Sequence, residues 1–341
     1  MNPATYRRFA AALLTLASAA YAARTSQSEY NRAYASDSFE GFEAYDLDKR
    51  PQQKAKSFWF RLSEKTPEAQ LAYARKRDTE GSFRRARKAY EALIRAWPTA
   101  PQAAEAQLGL AQMLEAHRAY EKAFDEYQYL LTFYAGHCPY NEILERQFRI
   151  ANHLLHDNRS MFGLALSGTG PIRERFEQIV RNAPRSALAP EAMLIIGSIR
   201  VSDKEYEEAI AVYDGLRNRF PDSPQAVSAV FLAGQCRHML ALKNNYNEPR
   251  CREAIGFFKS VLERYPNHPQ KAQMAEWQRE LSALLLEQNY RQAVFYDTQQ
   301  RKPDAAKAAY RRFLAEFADS KYAPQVRSRL DELEKATPTT K

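Results

Sequence analysis

One arrangement of apolar positions recurs six times along the chain. An alanine is followed four residues later by an aromatic, three later by another apolar residue and four later by a second aromatic. The copies are Ala86/Tyr90/Leu93/Trp97, Ala123/Tyr127/Leu130/Tyr134, Ala209/Tyr213/Leu216/Phe220, Ala254/Phe258/Val261/Tyr265 and Ala306/Tyr310/Phe313/Phe317, with a looser Ile172/Phe176/Ile179/Ala183. Spacing of four, three and four puts all four side chains on one face of an α-helix. Four copies run straight into proline, at Pro98, Pro184, Pro221 and Pro266, which removes a backbone donor and turns the preceding residue away from helical angles. A second proline at Pro101, Pro190, Pro224 and Pro269 suits the first turn of a following helix.

Each unit therefore reads as helix, turn, helix and sharp stop. The small alanine lets paired helices approach closely, and the aromatic four residues on fills the space beyond it. Pairs of this kind bury their apolar faces only by stacking on neighbours, which builds a solenoid. The second-position aromatics Tyr90, Tyr127, Phe176, Tyr213, Phe258 and Tyr310 stand 37, 49, 37, 45 and 52 residues apart. These spacings exceed the roughly 34 residues of a standard helical-pair repeat, so the excess lies in longer helices or inserted loops. Asp157 to Gly170 and Lys243 to Pro249 are the clearest insertions. Glycine is scarce, at 11 residues, which agrees with an all-α chain.

The first 22 residues follow the plan of a secretory signal. Arg7 and Arg8 supply the charged start, Phe9 to Ala17 form a short apolar run, and Ala20-Tyr21-Ala22 offers small residues where a signal peptidase cuts. The apolar run is well short of the roughly 20 residues that span a bilayer. Cleavage leaves a net charge of about +7, a modest excess that reads as an ordinary solvated surface with both signs interspersed or, if it serves binding, points to anionic surfaces more than nucleic acid. Cys138, Cys236 and Cys251 are an odd number for an oxidising compartment. Cys236 and Cys251 could pair, but antiparallel packing would hold them about 10 Å apart along the axis, so buried thiols are the expectation.

The repeated alanine and aromatic positions before a closing proline resemble those of tetratricopeptide repeats. That likeness implies a right-handed solenoid of about six helical pairs. Beyond it, the stretch from about Lys65 to Glu334 resembles the family of the outer-membrane assembly factor BamD. The most distinctive part is Tyr290 to Pro324, where a helix carrying A-x-F-Y precedes an alanine-rich helix and an F-x-D-S-x-Y-A turn. Gly136 to Pro190 is similar to it as well. The resemblance implies a periplasmic scaffold, peripheral to the outer membrane, that meets a β-barrel assembly channel component and unfolded outer-membrane proteins. The chain departs from the family in two ways: no cysteine precedes Cys138, so no lipobox is present, and it carries six pairs where five are usual.

Within the family-like segment, Tyr290, Arg291, Tyr296, Arg311 and Arg312 are the candidate partner-binding residues, being of the types that dominate binding hot spots. Tyr310 belongs instead to the repeat core. Ala86, Tyr90, Ala123, Tyr127, Ala209, Tyr213, Ala254, Phe258, Ala306 and Tyr310 are the expected packing positions.

Other clusters carry less. Phe58, Trp59 and Phe60 lie among Lys49, Arg50, Lys54, Lys56 and Arg61, and read as a cap on the first repeat, an interfacial membrane contact or a short partner motif. His153 and His156 could hold a metal only with a third ligand from elsewhere, and otherwise form part of a polar helix face. Ser167-Gly168-Thr169-Gly170 could seat an anion but lacks a phosphate-loop lysine. No nucleophile elbow, paired-carboxylate signature or cofactor fingerprint occurs, so neither an enzyme nor a cofactor is expected. A rival binding role is that of a CpoB-like coordinator of envelope constriction and wall synthesis, which would want a heptad that residues 24 to 60 do not show.

The expected organisation is a signal peptide over 1–22, a flexible aromatic-containing leader over 23–65, the repeat array over 66–336 and a tail over 337–341. Mass spectrometry of the exported protein should find it starting near Ala23 with no acyl chain; lipid on any residue would overturn this reading.

Overall fold

The computed structural model describes residues 62–160, 168–243 and 247–335. The expected signal peptide, the Phe58, Trp59 and Phe60 triplet and the tail over 337–341 lie outside these residues. The described part is all-α, with thirteen helices and no strand. In chain order they are α1 (Pro67–Thr79), α2 (Phe83–Ala96), α3 (Pro101–Ala116), α4 (Tyr120–Phe133), α5 (Tyr140–Ser160), α6 (Gly170–Asn182) and α7 (Ala189–Ser202), followed by α8 (Tyr206–Arg219), α9 (Pro224–Leu242), α10 (Glu248–Arg264), α11 (Lys271–Val294), α12 (Pro303–Glu316) and α13 (Ala323–Lys335). None of them is long and apolar enough to cross a membrane.

The chain forms two compact units that divide within α7, after Ile199. In the first, α1 to α6 pack in succession and α1 also touches α3; in the second, α8 to α13 do the same and α9 touches α11. In these two places, once in each unit, the first helices of consecutive pairs meet each other as well as their own partners. The six copies of the repeated pattern occupy α2, α4, α6, α8, α10 and α12. Ala86, Ala123, Ala209, Ala254 and Ala306 are wholly buried, and Tyr90, Tyr127, Tyr213, Phe258 and Tyr310 nearly or wholly so. In the looser copy Ile172, Phe176 and Ile179 are buried. Close approach shows directly at Gly234 on α9, where a Cβ would meet the Phe258 ring at 2.8 Å.

Helix starts follow the expected chemistry. Thr66 and Ser223 accept hydrogen bonds from the backbone N–H of Ala69 and Ala226 (3.3 and 3.2 Å), each beside a proline in the first turn. Asn247 does the same for Arg250 at 3.1 Å, so the insertion before Pro249 ends in a cap. Pro269 does not open a helix as expected. α11 begins two residues later because His268 takes over the turn: its Nδ1 accepts from the Gln270 N–H at 3.1 Å, and its Nε2 reaches the Val227 carbonyl oxygen at 3.1 Å.

All six second helices end alike. The residues Trp97, Tyr134, Ala183, Phe220, Tyr265 and Phe317 have φ between −138° and −123° and donate their N–H to the residue four back. Tyr134 and Phe317 do so with alanine following, so proline reinforces this exit without being needed for it. The turns inside four pairs are also alike. Gly81, Arg118, Lys204 and Arg301, each five residues before the alanine of its copy, adopt φ of 71°, 58°, 65° and 49°. After Gly81, Arg118 and Lys204 the next N–H reaches back five residues, Ser82 to Arg77, Ala119 to Leu114 and Glu205 to Arg200, which is how a left-handed residue closes a helix end.

The extra length between copies sits mainly in first helices: α5 has 21 residues, α9 has 19 and α11 has 24. Polar anchors fix two early pairs. Buried Gln70 and Gln107 donate to the carbonyl oxygens of Ala89 and Glu126 (3.1 and 3.0 Å), in each case the residue preceding the copy's aromatic. The Gln70 side-chain oxygen also accepts from the N–H groups of Ser63 and Glu64 (3.0 and 2.9 Å), tying down the start of the described chain. In the second unit Trp277 of α11 lies between Phe231 and His238 of α9, both rings 5.2 Å away and tilted 22°.

Two neighbouring substitutions should act in opposite directions. Ala209→Leu overfills the contact under α8 and should cost about 1–3 kcal/mol. Lys204→Gly relieves a left-handed residue and should gain about 0.5–1 kcal/mol. Thermal midpoints of the two variants check both signs.

Candidate functional site

α11, the segment that extends it and α12 hold every candidate partner-binding residue, and their geometry begins with a widened turn. α11 runs on into a π-helical segment, Phe295–Gln299, in which the Gln300 N–H reaches the Phe295 carbonyl oxygen at 3.0 Å. Such one-residue expansions re-aim side chains and are frequent at functional sites. Here Phe295 is turned outward, 47% exposed, while the Asp297 carboxylate is turned in and only 7% exposed.

Asp297 joins three helical segments. Arg329 of α13 grips it with both prongs of the guanidinium, Nε to Oδ2 at 2.8 Å and Nη2 to Oδ1 at 3.0 Å. The Tyr310 hydroxyl of α12 donates to the same Oδ2 at 3.1 Å. A forked arginine on a carboxylate is among the stronger polar contacts proteins make. The Arg329 guanidinium holds the Asp297 carboxyl below the usual carboxylate range, with help from the Tyr310 hydroxyl. Burial pushes the Tyr310 phenol up, and the adjacent Asp297 charge adds to this.

A second contact holds the other end of α13. The rings of Tyr290 and Tyr322 stack face to face with centroids 4.0 Å apart and an angle of 2°. The Tyr322 hydroxyl donates to Glu287, which also accepts from Arg291 at 2.9 Å. Glu287 is held below its ordinary range, chiefly by the Tyr322 hydroxyl.

The five candidates are not brought onto one patch. Tyr290 is half-buried in this stack, Arg291 is exposed beside Glu287, and Tyr296 packs into the C-terminal core beside Tyr310 and Phe313. Arg311 and Arg312 are each about three-fifths exposed but are engaged within the chain. Arg311 Nε donates to Glu334 at 3.2 Å, towards α13, while Arg312 donates to Glu248 at 3.2 Å, towards α10. Glu248 also accepts from Nε and Nη2 of Arg252, which grips Glu316 through Nη1 and the same Nη2. Adjacent positions on a helix point about 100° apart, which is why consecutive arginines serve different neighbours.

Asp297, Arg329, Glu287 and Glu248 were not singled out from the sequence, since isolated charges carry no spacing signal; Tyr322 lies in the quoted F-x-D-S-x-Y-A turn. Elsewhere, His153 bonds its own helix neighbour Asp157 at 3.0 Å and lies against the Tyr120 ring. Among the described residues no group of His, Cys, Asp and Glu could hold a metal ion. The three cysteines are unpaired, and burial pushes the Cys236 and Cys138 thiols up to about 12 and about 11.

Stacked pairs with this alanine and aromatic core define a tetratricopeptide-repeat protein, and residues 69–137 match the tetratricopeptide-repeat family. Residues 187–337 match the family described as outer membrane lipoprotein. The repeats are thus of the tetratricopeptide kind, and the part of the chain over residues 187–337 is BamD-like. It is 26% identical over 92 residues to the outer membrane protein assembly factor BamD of Caulobacter vibrioides, a stretch that is 27% of this chain and 30% of that protein. Among solved structures, a tetratricopeptide-repeat protein from Parabacteroides merdae is 13% identical with a TM-score of 0.29, covering 79% of this chain and 98% of that one. MamA from Desulfovibrio magneticus is 15% identical with a TM-score of 0.27, covering 58% and 93%.

Asp297→Asn tests the clamp. Its lowered native pKa means the carboxylate stabilises the fold fully above the unfolded value of about 4, and the contribution is lost as pH falls through the native value. The variant should lose about 1–3 kcal/mol at neutral pH and show a shallower loss of stability between about pH 5 and pH 2, read from midpoints across a pH series.

Proposed function

We propose that the chain is a periplasmic protein-binding scaffold, peripheral to the outer membrane, that assists the assembly and insertion of β-barrel proteins. The observation that carries this reading is the BamD-like match over residues 187–337, which takes in α7 to α13 and all five candidate residues. A tetratricopeptide scaffold binds proteins, and its expected partners here are the channel component of the barrel-assembly machinery and unfolded outer-membrane proteins. Extended chains suit such a surface because their backbones can be held by long polar side chains. In this reading residues 1–22 direct export, 23–65 form a leader, 66–336 the array and 337–341 a tail. Phe58, Trp59 and Phe60 supply the membrane contact that a lipid supplies in a lipoprotein.

Tyr290, Arg291, Tyr296, Arg311 and Arg312 are proposed to contact the partner. For the two consecutive arginines this requires exchange of intramolecular carboxylates for those of the partner. Exposed ion pairs contribute only about 0–1 kcal/mol, so the exchange is energetically open.

Affinity capture from envelope extract with the mature chain should recover the barrel-assembly channel component, while recovery of wall synthases would replace this reading. Arg311→Glu combined with Arg312→Glu should abolish that recovery, with helical content unchanged and the midpoint lowered by no more than a few degrees. Intact recovery by the folded double variant would remove these two residues from the site.

A further inference from the structure

α2 is the most basic of the six second helices. Arg84, Arg85, Arg87, Lys88 and Arg95 stand on it with a single acid, Glu91, which accepts from Arg87 Nε at 2.8 Å. Arg84, Arg85, Lys88 and Arg95 are exposed. Four of the six second helices carry an acid in the first turn, where the backbone N–H groups favour negative charge. α2 has two arginines there instead, so it is cationic where a helix least tolerates it. At its other end the Tyr134 hydroxyl donates to the Pro98 carbonyl oxygen at 2.9 Å, and the partly exposed rings of Tyr129 and Phe133 cluster with Tyr134. α2 thus presents cations along its length and an aromatic cluster beyond its end.

The leader holds a segment of matching chemistry. Residues 37–48 read D-S-F-E-G-F-E-A-Y-D-L-D, with an aromatic every third residue, Phe39, Phe42 and Tyr45, each followed at once by an acid, Glu40, Glu43 and Asp46. With Asp37 and Asp48 the segment carries five carboxylates and no basic residue. It lies outside the described residues, but its point of attachment is fixed beside α2. The N–H groups of Ser63 and Glu64 donate to the Gln70 side chain, whose amide donates to the Ala89 carbonyl oxygen in the middle of α2. The 13 residues between Asp48 and Leu62 reach up to about 45 Å, while α2 is only about 21 Å long. We infer that residues 37–48 are a latch that folds back on α2, with its carboxylates on the exposed arginines and its aromatic rings on the cluster beyond Pro98.

Each separate ion pair on such an exposed face contributes little. Tethering compensates, because a short flexible linker presents the segment at about a millimolar effective concentration. An intrinsic dissociation constant of about 100 µM then keeps the latch about nine-tenths closed. The acidic segment also supplies the negative charge that the first turn of α2 lacks. The latch involves only the leader and the first compact unit, so it goes beyond the barrel-assembly reading and stands or falls separately from it.

The latch is tested on the mature full chain. A carbodiimide, which joins a carboxylate directly to an amine, should link Glu40, Glu43 or Asp46 to Lys88, the one lysine of α2, as read by mass spectrometry of the digested monomer. A fluorescein-labelled peptide of residues 36–48, followed by anisotropy, should bind the variant Glu40→Gln, Glu43→Gln, Asp46→Asn about tenfold more tightly than the wild type, because the variant's own latch is open. Adding Arg84→Glu and Arg85→Glu to that variant should abolish peptide binding. This reversal places acids in the first turn, so it does not weaken the helix. Equal peptide affinity for the wild type and the open-latch variant overturns the inference, and so does peptide binding that survives the arginine reversal. Cross-links confined to dimers overturn it by giving the face to the leader of a second copy. If the reversal spares peptide binding but removes binding to phosphatidylglycerol vesicles, the face is a lipid site and the latch is wrong.

Discussion

The fold depends on one constraint, which is how closely two helices can approach where the first residue of each copy is alanine. With nothing larger than a methyl group at Ala86, Ala123, Ala209, Ala254 and Ala306, the aromatic four residues on can lie in the gap and exclude water from it. Dispersion in such a contact is the sum of many small terms that lose about a quarter to a half of their strength if the surfaces separate by up to an ångström. A larger side chain at the alanine, or a smaller one at the aromatic, would therefore loosen the pair. The buried glutamines add direction to this packing. Gln70 and Gln107 each meet the carbonyl oxygen next to the aromatic, and a one-residue slide of either helix would leave a buried amide unpaired.

The aromatics contribute at their far ends as well. The Tyr127 hydroxyl donates to Glu115 at 2.6 Å and that of Tyr310 to Asp297 at 3.1 Å. Both phenols are pushed up by burial, with the accepting carboxylate adding to the shift. Phe258, which has no hydroxyl, packs against Phe257 and Trp277 instead. The same position in the repeat thus ends in a polar link in some pairs and a hydrocarbon contact in others, according to what the first helix offers.

The core of each pair was legible in the sequence because packing leaves a periodic trace. Alanine, aromatic and apolar residues recur at helical spacing wherever two helices must meet. The turns were less legible: the left-handed residue five before four of the five alanines is glycine once and arginine or lysine three times, and a basic residue gives no sign of its backbone angle. Pro269 misled for a related reason, since the helix start is decided by a histidine ring that bonds on both sides of the turn. The candidate site was the least legible. Arg311 and Arg312 could be placed off the apolar face by counting, but their carboxylate partners come from other helices, 23 and 64 residues away in sequence. The π segment that turns Asp297 inward follows from tertiary packing, and no residue type announces it.

The second helices all leave their pairs at a similar φ and through the same backbone hydrogen bond, with or without a proline, whereas the first helices differ in length by up to eleven residues, from 13 in α1 to 24 in α11. Length can be added to one layer without disturbing the junctions made by the other. A chain organised in this way separates inheritance of its architecture from invention of its contacts. The junctions are copied, and each first helix is free to acquire the surface that its own neighbourhood rewards.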